Sequence, residues 1–182
     1  MPINALIPNN NVEGCYRFSI MKWLCTVGVL LIATYTSHSQ TIKSAHCGDD
    51  GTLQVVYDDG TTKQQPREDL QVGCDNATIA GDKDTVGWSV LVTNCCTSYP
   101  IATSVAVLSR GRTRVFSAKQ MVWRWKFVSD AKRLAVLSGP VHGNAVQATL
   151  YDIRSGRRLA TWNGRGQSPS WASSWKQDFG PS

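Results

Sequence analysis

Short apolar runs separated by polar, glycine-bearing turns fill the chain from residue 47 to residue 162. Leu53-Gln54-Val55-Val56-Tyr57 runs into Asp58-Asp59-Gly60 and returns through Thr61-Thr62-Lys63-Gln64-Gln65 until Pro66 stops it. Two β-prone runs joined by such a turn predict a hairpin. Ser104-Val105-Ala106-Val107-Leu108 and Arg112-Thr113-Arg114-Val115-Phe116 predict a second hairpin around Ser109-Arg110-Gly111. Gln147-Ala148-Thr149-Leu150-Tyr151 and Arg157-Arg158-Leu159-Ala160-Thr161-Trp162 predict a third around Asp152-Ile153-Arg154-Ser155-Gly156.

Between the hairpins lies a second repeated unit, residues 79–88 and again residues 127–136. In each, an apolar strand end meets a polar turn at Asp82 or Asp130, and a further apolar strand carries a small residue, Gly87 or Ala135, at the matching place. The two aspartates are 48 residues apart, and the hairpin glycines Gly60, Gly111 and Gly156 follow at intervals of 51 and 45. Several short strands repeating at this period are the signature of propeller blades. The fold class is therefore all-β, with two to three blade-like antiparallel units, and a β-sandwich is the alternative.

The segments on either side differ. Met21-Lys22 precedes the apolar run from Trp23 to Ala33, which has the length of a secretory h-region and falls short of the roughly 20 residues a membrane-spanning helix needs. Ser37 and Ser39 then supply small residues at cleavage spacing. Residues 21–39 accordingly form a signal peptide, with 1–20 a leader from a misplaced start, and the domain occupies 40–162. The tail, 163–182, is rich in Gly, Ser and Pro but holds Trp171, Trp175 and Phe179. It is expected first as a loose end, and second as an aromatic strap over an open sheet edge.

Cleavage after Ser39 leaves 143 residues, enough for one domain, with 17 basic and 12 acidic groups and a net charge of +5. Such a balance favours loose association with anionic polymers of an envelope; nucleic acid is disfavoured as a partner. Four cysteines remain, Cys47, Cys74, Cys95 and Cys96, an even count that suits disulfides in an exported chain, periplasmic or secreted. Cys47 and Cys74 are equidistant from the turn of the first hairpin, as cross-strand partners would be, and so are expected to pair, leaving Cys95 with Cys96 as a vicinal disulfide. No Cys-x-x-Cys pair is present, and neither a metal nor a cofactor is expected.

The units 125–135 and 150–157 resemble WD40-like and TolB-like β-propeller repeats, in which a Ser-Asp turn between strands precedes a Tyr-Asp-x-x-Ser-Gly hairpin. The chain also resembles a group of small exported bacterial proteins through Asn94-Cys95-Cys96-Thr97-Ser98-Tyr99-Pro100 and Ser138-Gly139-Pro140-Val141-His142-Gly143. The resemblance implies blades, but two and a half repeats fall short of a ring of about four. A partial propeller, a sandwich or closure by oligomerisation must complete the core.

Arg110, Arg112, Arg114, Arg154, Arg157 and Arg158 gather at two corresponding hairpin tips, where they could hold phosphate or sulfate groups. Trp123-Arg124-Trp125 places both indoles on one strand face, as core or as an aromatic platform. His142 sits in a Pro-Gly loop, where it is expected to hydrogen-bond; as a hydrolase base it would need an activated serine, and no Gly-x-Ser-x-Gly elbow occurs. The first expectation is a noncatalytic exported module that binds a protein or an anionic envelope polymer. The alternative is a small extracytoplasmic enzyme, a hydrolase using His142 or a thiol oxidoreductase using Cys95 and Cys96.

Overall fold

A computed structural model describes residues 40–143 and 146–179. The expected leader and signal peptide, 1–39, lie outside the described residues. The described chain is all-β, in three antiparallel sheets laid down in chain order. Sheet 1 holds β1 (Ile42–Cys47), β2 (Leu53–Tyr57) and β3 (Thr62–Gln64). Sheet 2 holds β4 (Gln71–Ile79), β5 (Thr85–Val92), β6 (Ile101–Ser109) and β7 (Arg112–Ser117). Sheet 3 holds β8 (Met121–Val128), β9 (Arg133–Gly139), β10 (Gln147–Asp152) and β11 (Arg158–Trp162). Within each sheet every strand pairs with its neighbour in sequence, so each sheet is an up-and-down meander.

The expected hairpins are β2–β3, β6–β7 and β10–β11. In the middle one Arg110 and Gly111 both take positive φ, 51° and 72°, the geometry whose twist matches the strands it joins.

The sheets pack face to face. Ile42, Leu53, Val55 and Tyr57 of sheet 1 meet Val86, Trp88, Val90, Ala106 and Leu108 of sheet 2 in one cluster. The other face of sheet 2 presents Val105, Val107 and Phe116 to Val122, Leu134, Val136 and Ile153 of sheet 3. A central sheet covered on both faces explains why β5 and β6 read as near-continuous apolar runs, since neither face can be polar. Sheet 1 turns a mostly polar face outward, with Ser44, His46, Thr62 and Gln64 all at least partly exposed, so the stack ends there on a polar surface.

At the other end of the stack the outer face of sheet 3 is apolar and the tail covers it. Ser170–Phe179 forms a 3₁₀ helix. Its three-residue repeat lines up Ala172, Trp175 and Asp178 toward the sheet. Ala172 and Trp175 are buried with Ala135, Leu137, Ala148, Leu150 and Trp162, and Asp178 pairs with Arg124 at 3.2 Å. Lys126 lies 4.8 Å from the Trp175 ring and donates to Ser174 Oγ at 2.7 Å. The tail is thus not a loose end. It covers a sheet face instead of an edge, because the face is what carries the buried apolar surface.

Cys47 and Cys74 are joined by a disulfide, but not across a hairpin. Cys47 stands opposite Leu53 on β2, whereas Cys74 lies on β4 opposite Val90, so the bond staples sheet 1 to sheet 2. The shared midpoint at the first turn is a coincidence of segment lengths. Gly51 makes the same junction close: a Cβ there would stand 2.8 Å from the Gly73 Cα, and the Gln71 amide donates to the Gly51 carbonyl at 2.7 Å.

Candidate anion-binding surface

The strand registers sort the turns into two ends of the stack. One end carries the hairpin tips at 58–60, 110–111 and 153–157 together with the turns at 81–84 and 129–132. The opposite end carries the longer loops 48–52 and 93–100 and the loop residues 140–143. All six arginines lie on the tip end or just behind it.

Arg112, Arg114 and Phe116 alternate along β7 and therefore share the face that looks at sheet 3. Phe116 is buried there, with its ring 5.3 Å from that of Tyr151. On sheet 3, Tyr151 is the register partner of Arg158, which places both on the face that looks back at sheet 2. The Arg114 guanidinium crosses the seam and donates to the Arg154 carbonyl at 3.1 Å. It lies against Gly156, where a Cβ would stand 2.8 Å from Nη1. Gly156 has φ of 76°, so glycine is required there by the turn as well as by the guanidinium above it.

The tip end carries acids as well as arginines, with Asp82, Asp84 and Asp130 in its turns. Burial pushes the Tyr151 phenol above its ordinary range, and Arg158 beside it pulls the other way. Asp152 lies beside Arg133 and Arg154, and its carboxylate accepts from the Ser155 hydroxyl at 2.6 Å and the Ser155 backbone N–H at 2.7 Å. Those two bonds hold its pKa below the ordinary value, with smaller help from Arg133 and Arg154. Among the described residues none of the six arginines belongs to a salt bridge; the ion pair present is Arg124–Asp178. Arg110, Arg112, Arg157 and Arg158 are exposed, so their guanidinium donors face solvent. Tyr151 and Arg133 complete the surface, and neither stands out as a site residue in the sequence. The pairing of Tyr151 with Arg158 depends on a register shift between Leu150 and Tyr151 that no residue type announces.

The remaining candidates do not join this surface. Trp123 and His142 belong to the loop end of sheet 3. Trp123 also does not share a face with Trp125, because the β8–β9 register shifts between Val122 and Arg124. A bulge there reverses the alternation. Trp123 packs on the tail side against Gly139 and Val146 and donates its indole N–H to the Pro140 carbonyl at 3.3 Å. Trp125 packs on the opposite side against Gly87 and donates to Ser89 Oγ at 2.9 Å. The pair is not a platform. His142 is exposed in its loop. Cys95 and Cys96 are free thiols with sulfurs 3.0 Å apart rather than a closed vicinal disulfide.

Among the described residues no three His, Cys, Asp or Glu side chains come together as metal ligands would, and no helix is long and apolar enough to cross a membrane. No family model matches the chain, and no curated protein matches its sequence.

Proposed function

We propose that this chain is an exported, noncatalytic interaction module of propeller-like blades that binds an anionic polymer of the cell envelope along the arginine-lined seam of sheets 2 and 3. The observation that carries the proposal is the bond from Arg114 to the Arg154 carbonyl. It brings two hairpin tips from different sheets into one surface while leaving Arg112, Arg157 and Arg158 exposed to solvent and outside any salt bridge among the described residues. Guanidinium groups held this way suit phosphate or sulfate, whose oxygens accept paired N–H donors. Three meander sheets in chain order, each the counterpart of the next, support the blade description. The inter-sheet disulfide supports an oxidising compartment.

The test is binding of the chain to polyphosphate and to dextran sulfate at rising ionic strength. Affinity is expected to fall steeply with salt, and Arg112→Gln with Arg158→Gln is expected to weaken it about tenfold while the fold persists. Salt-insensitive binding, or binding indifferent to the two substitutions, would refute the proposal.

A further inference from the structure

The loop end of sheet 2, opposite the arginine seam, holds a different chemistry. We propose that Cys95 and Cys96 are a dithiol/disulfide couple that exchanges once per chain, without turnover, with a disulfide carried by an apolar polypeptide segment.

The geometry starts from the β5–β6 loop. Both thiols are exposed, and their sulfurs are 3.0 Å apart, about 1 Å beyond a covalent S–S bond. Asn94 braces the turn: its Oδ1 accepts from the Cys96 N–H at 2.6 Å and its Nδ2 donates to Thr97 Oγ1 at 2.7 Å. Thr97 Oγ1 in turn donates to the Tyr99 carbonyl at 2.5 Å. Neighbouring thiols on a braced turn need little movement to close. The contact between the two sulfurs raises the Cys96 thiol above its ordinary value. With the Cys96 backbone pinned to the turn by Asn94, Cys95 is assigned as the attacking sulfur and Cys96 as the resolving one.

The steps balance. The Cys95 thiolate attacks one sulfur of the substrate disulfide, forming a mixed disulfide and expelling the other substrate sulfur as a thiolate. That thiolate takes the Cys96 proton. The Cys96 sulfur then attacks Cys95, expelling the second substrate thiolate, which is protonated by water. The substrate disulfide is reduced to two thiols, and the dithiol is oxidised to one disulfide.

The surroundings select the substrate class. Of the four exposed large hydrophobic residues among the described residues, Leu70, Val72 and Tyr99 all lie at this end of sheet 2. Gln71 and Ile101 are both register partners of Val92, the last residue of β5, so Leu70 and Val72 lie beside the strand end from which the thiol-bearing 93–100 loop leaves, and Tyr99 lies in that loop. Leu70 is 78% exposed and has φ of 60°, doubly unfavourable for leucine. Val72 sits where the register shifts on β4, an edge strand. Exposed apolar side chains beside the thiol loop suit a disulfide borne on an apolar segment, and a small hydrophilic disulfide gains nothing from them.

The test mixes the full chain, Cys95 and Cys96 reduced, with either a disulfide-linked dimer of an apolar peptide or oxidised glutathione, followed by non-reducing peptide mapping. The fragment holding both cysteines is expected to lose the mass of two hydrogens. Cys96→Ser should stop at a mixed disulfide on Cys95, and Cys95→Ser should slow exchange at least about tenfold. Leu70→Ser with Tyr99→Ser should slow the peptide reaction about fivefold and leave the glutathione reaction unchanged. Separate adducts on both cysteines, Cys95 joined to Cys47 or Cys74, full activity of Cys95→Ser, or a peptide rate indifferent to Leu70 and Tyr99 would each overturn the proposal.

Discussion

Gly87 of β5 lies directly beneath the Trp125 ring of β8: a Cβ at position 87 would stand 2.8 Å from Trp125 Cη2 and 3.0 Å from Phe127 Cζ. Trp125 and Phe127 meet edge to face, with centroids 5.4 Å apart and planes at 82°, so each blocks the other from moving aside. Gly87→Ala is therefore expected to overpack this interface and destabilise the domain by about 1–3 kcal/mol. Urea unfolding checks it. Unchanged stability would mean that the two rings yield more freely than their packing implies.

Position 135 of β9 corresponds to position 87, and there the tail takes the part that sheet 3 plays for sheet 2. Trp175 is buried in the same cluster as Ala135. Trp175→Ala is expected to cost about 3–5 kcal/mol. The Arg124–Asp178 pair over the same helix has an arginine 53% exposed, so Arg124→Ala should cost less than about 1 kcal/mol. Burial of the indole, not the charge pair, fastens the tail. Removing residues 163–182 should expose Leu137 and Leu150 and produce binding of an apolar dye, whereas an equal loss from both substitutions would contradict this ranking.

The hairpins were legible in the sequence because glycine and polar residues mark left-handed turn positions such as Gly60, Gly111 and Gly156, each with positive φ. The face of Trp123 was not legible, since the bulge beside it arises from pairing with β9 and has no residue signature. The partner of Cys47 could be named but its location could not: sequence spacing does not distinguish a cross-strand bond from one between stacked sheets. The tail's apolar spacing, with Ala172 and Trp175 three apart, is written in the chain. Its glycine- and serine-rich surroundings conceal it. Arg114 and Arg154 belong to one surface only because consecutive sheets stack, which is tertiary information.

Asp152 couples acid conditions to the arginine seam. Its folded pKa lies below the ordinary value of 3.8, first because of its hydrogen bonds from Ser155. A depressed carboxylate contributes stability that is fully present above pH 3.8 and is lost as pH falls through the folded value. The β10–β11 turn should therefore loosen only below pH 3.8, seen as faster exchange of the Ser155 amide relative to Asp152→Ala, which should show no such transition. At neutral pH, Asp152→Asn removes the carboxylate beside Arg133 and Arg154 and should tighten polyphosphate binding. Weaker binding in that variant would mean that the turn's geometry matters more than its charge.

The Cys47–Cys74 bond spans 27 residues and joins two sheets that otherwise meet through side-chain packing and a few loop hydrogen bonds. Closing a loop of that length removes unfolded-chain entropy worth about 3.5 kcal/mol. The loss should therefore appear mainly as a lowered unfolding midpoint of the whole domain, because sheet 1 buries Leu53 and Val55 against Trp88 of sheet 2 and cannot detach without exposing them. Cys47→Ser with Cys74→Ser is expected to lower stability by about that amount. Cys95→Ser with Cys96→Ser should leave the midpoint almost unchanged, since those thiols are exposed and close no long loop. Thermal unfolding of both double variants, monitored by Trp fluorescence and by circular dichroism, decides between them. Equal destabilisation by the two pairs would show that the 93–100 loop, and not the inter-sheet bond, holds sheet 2 in place.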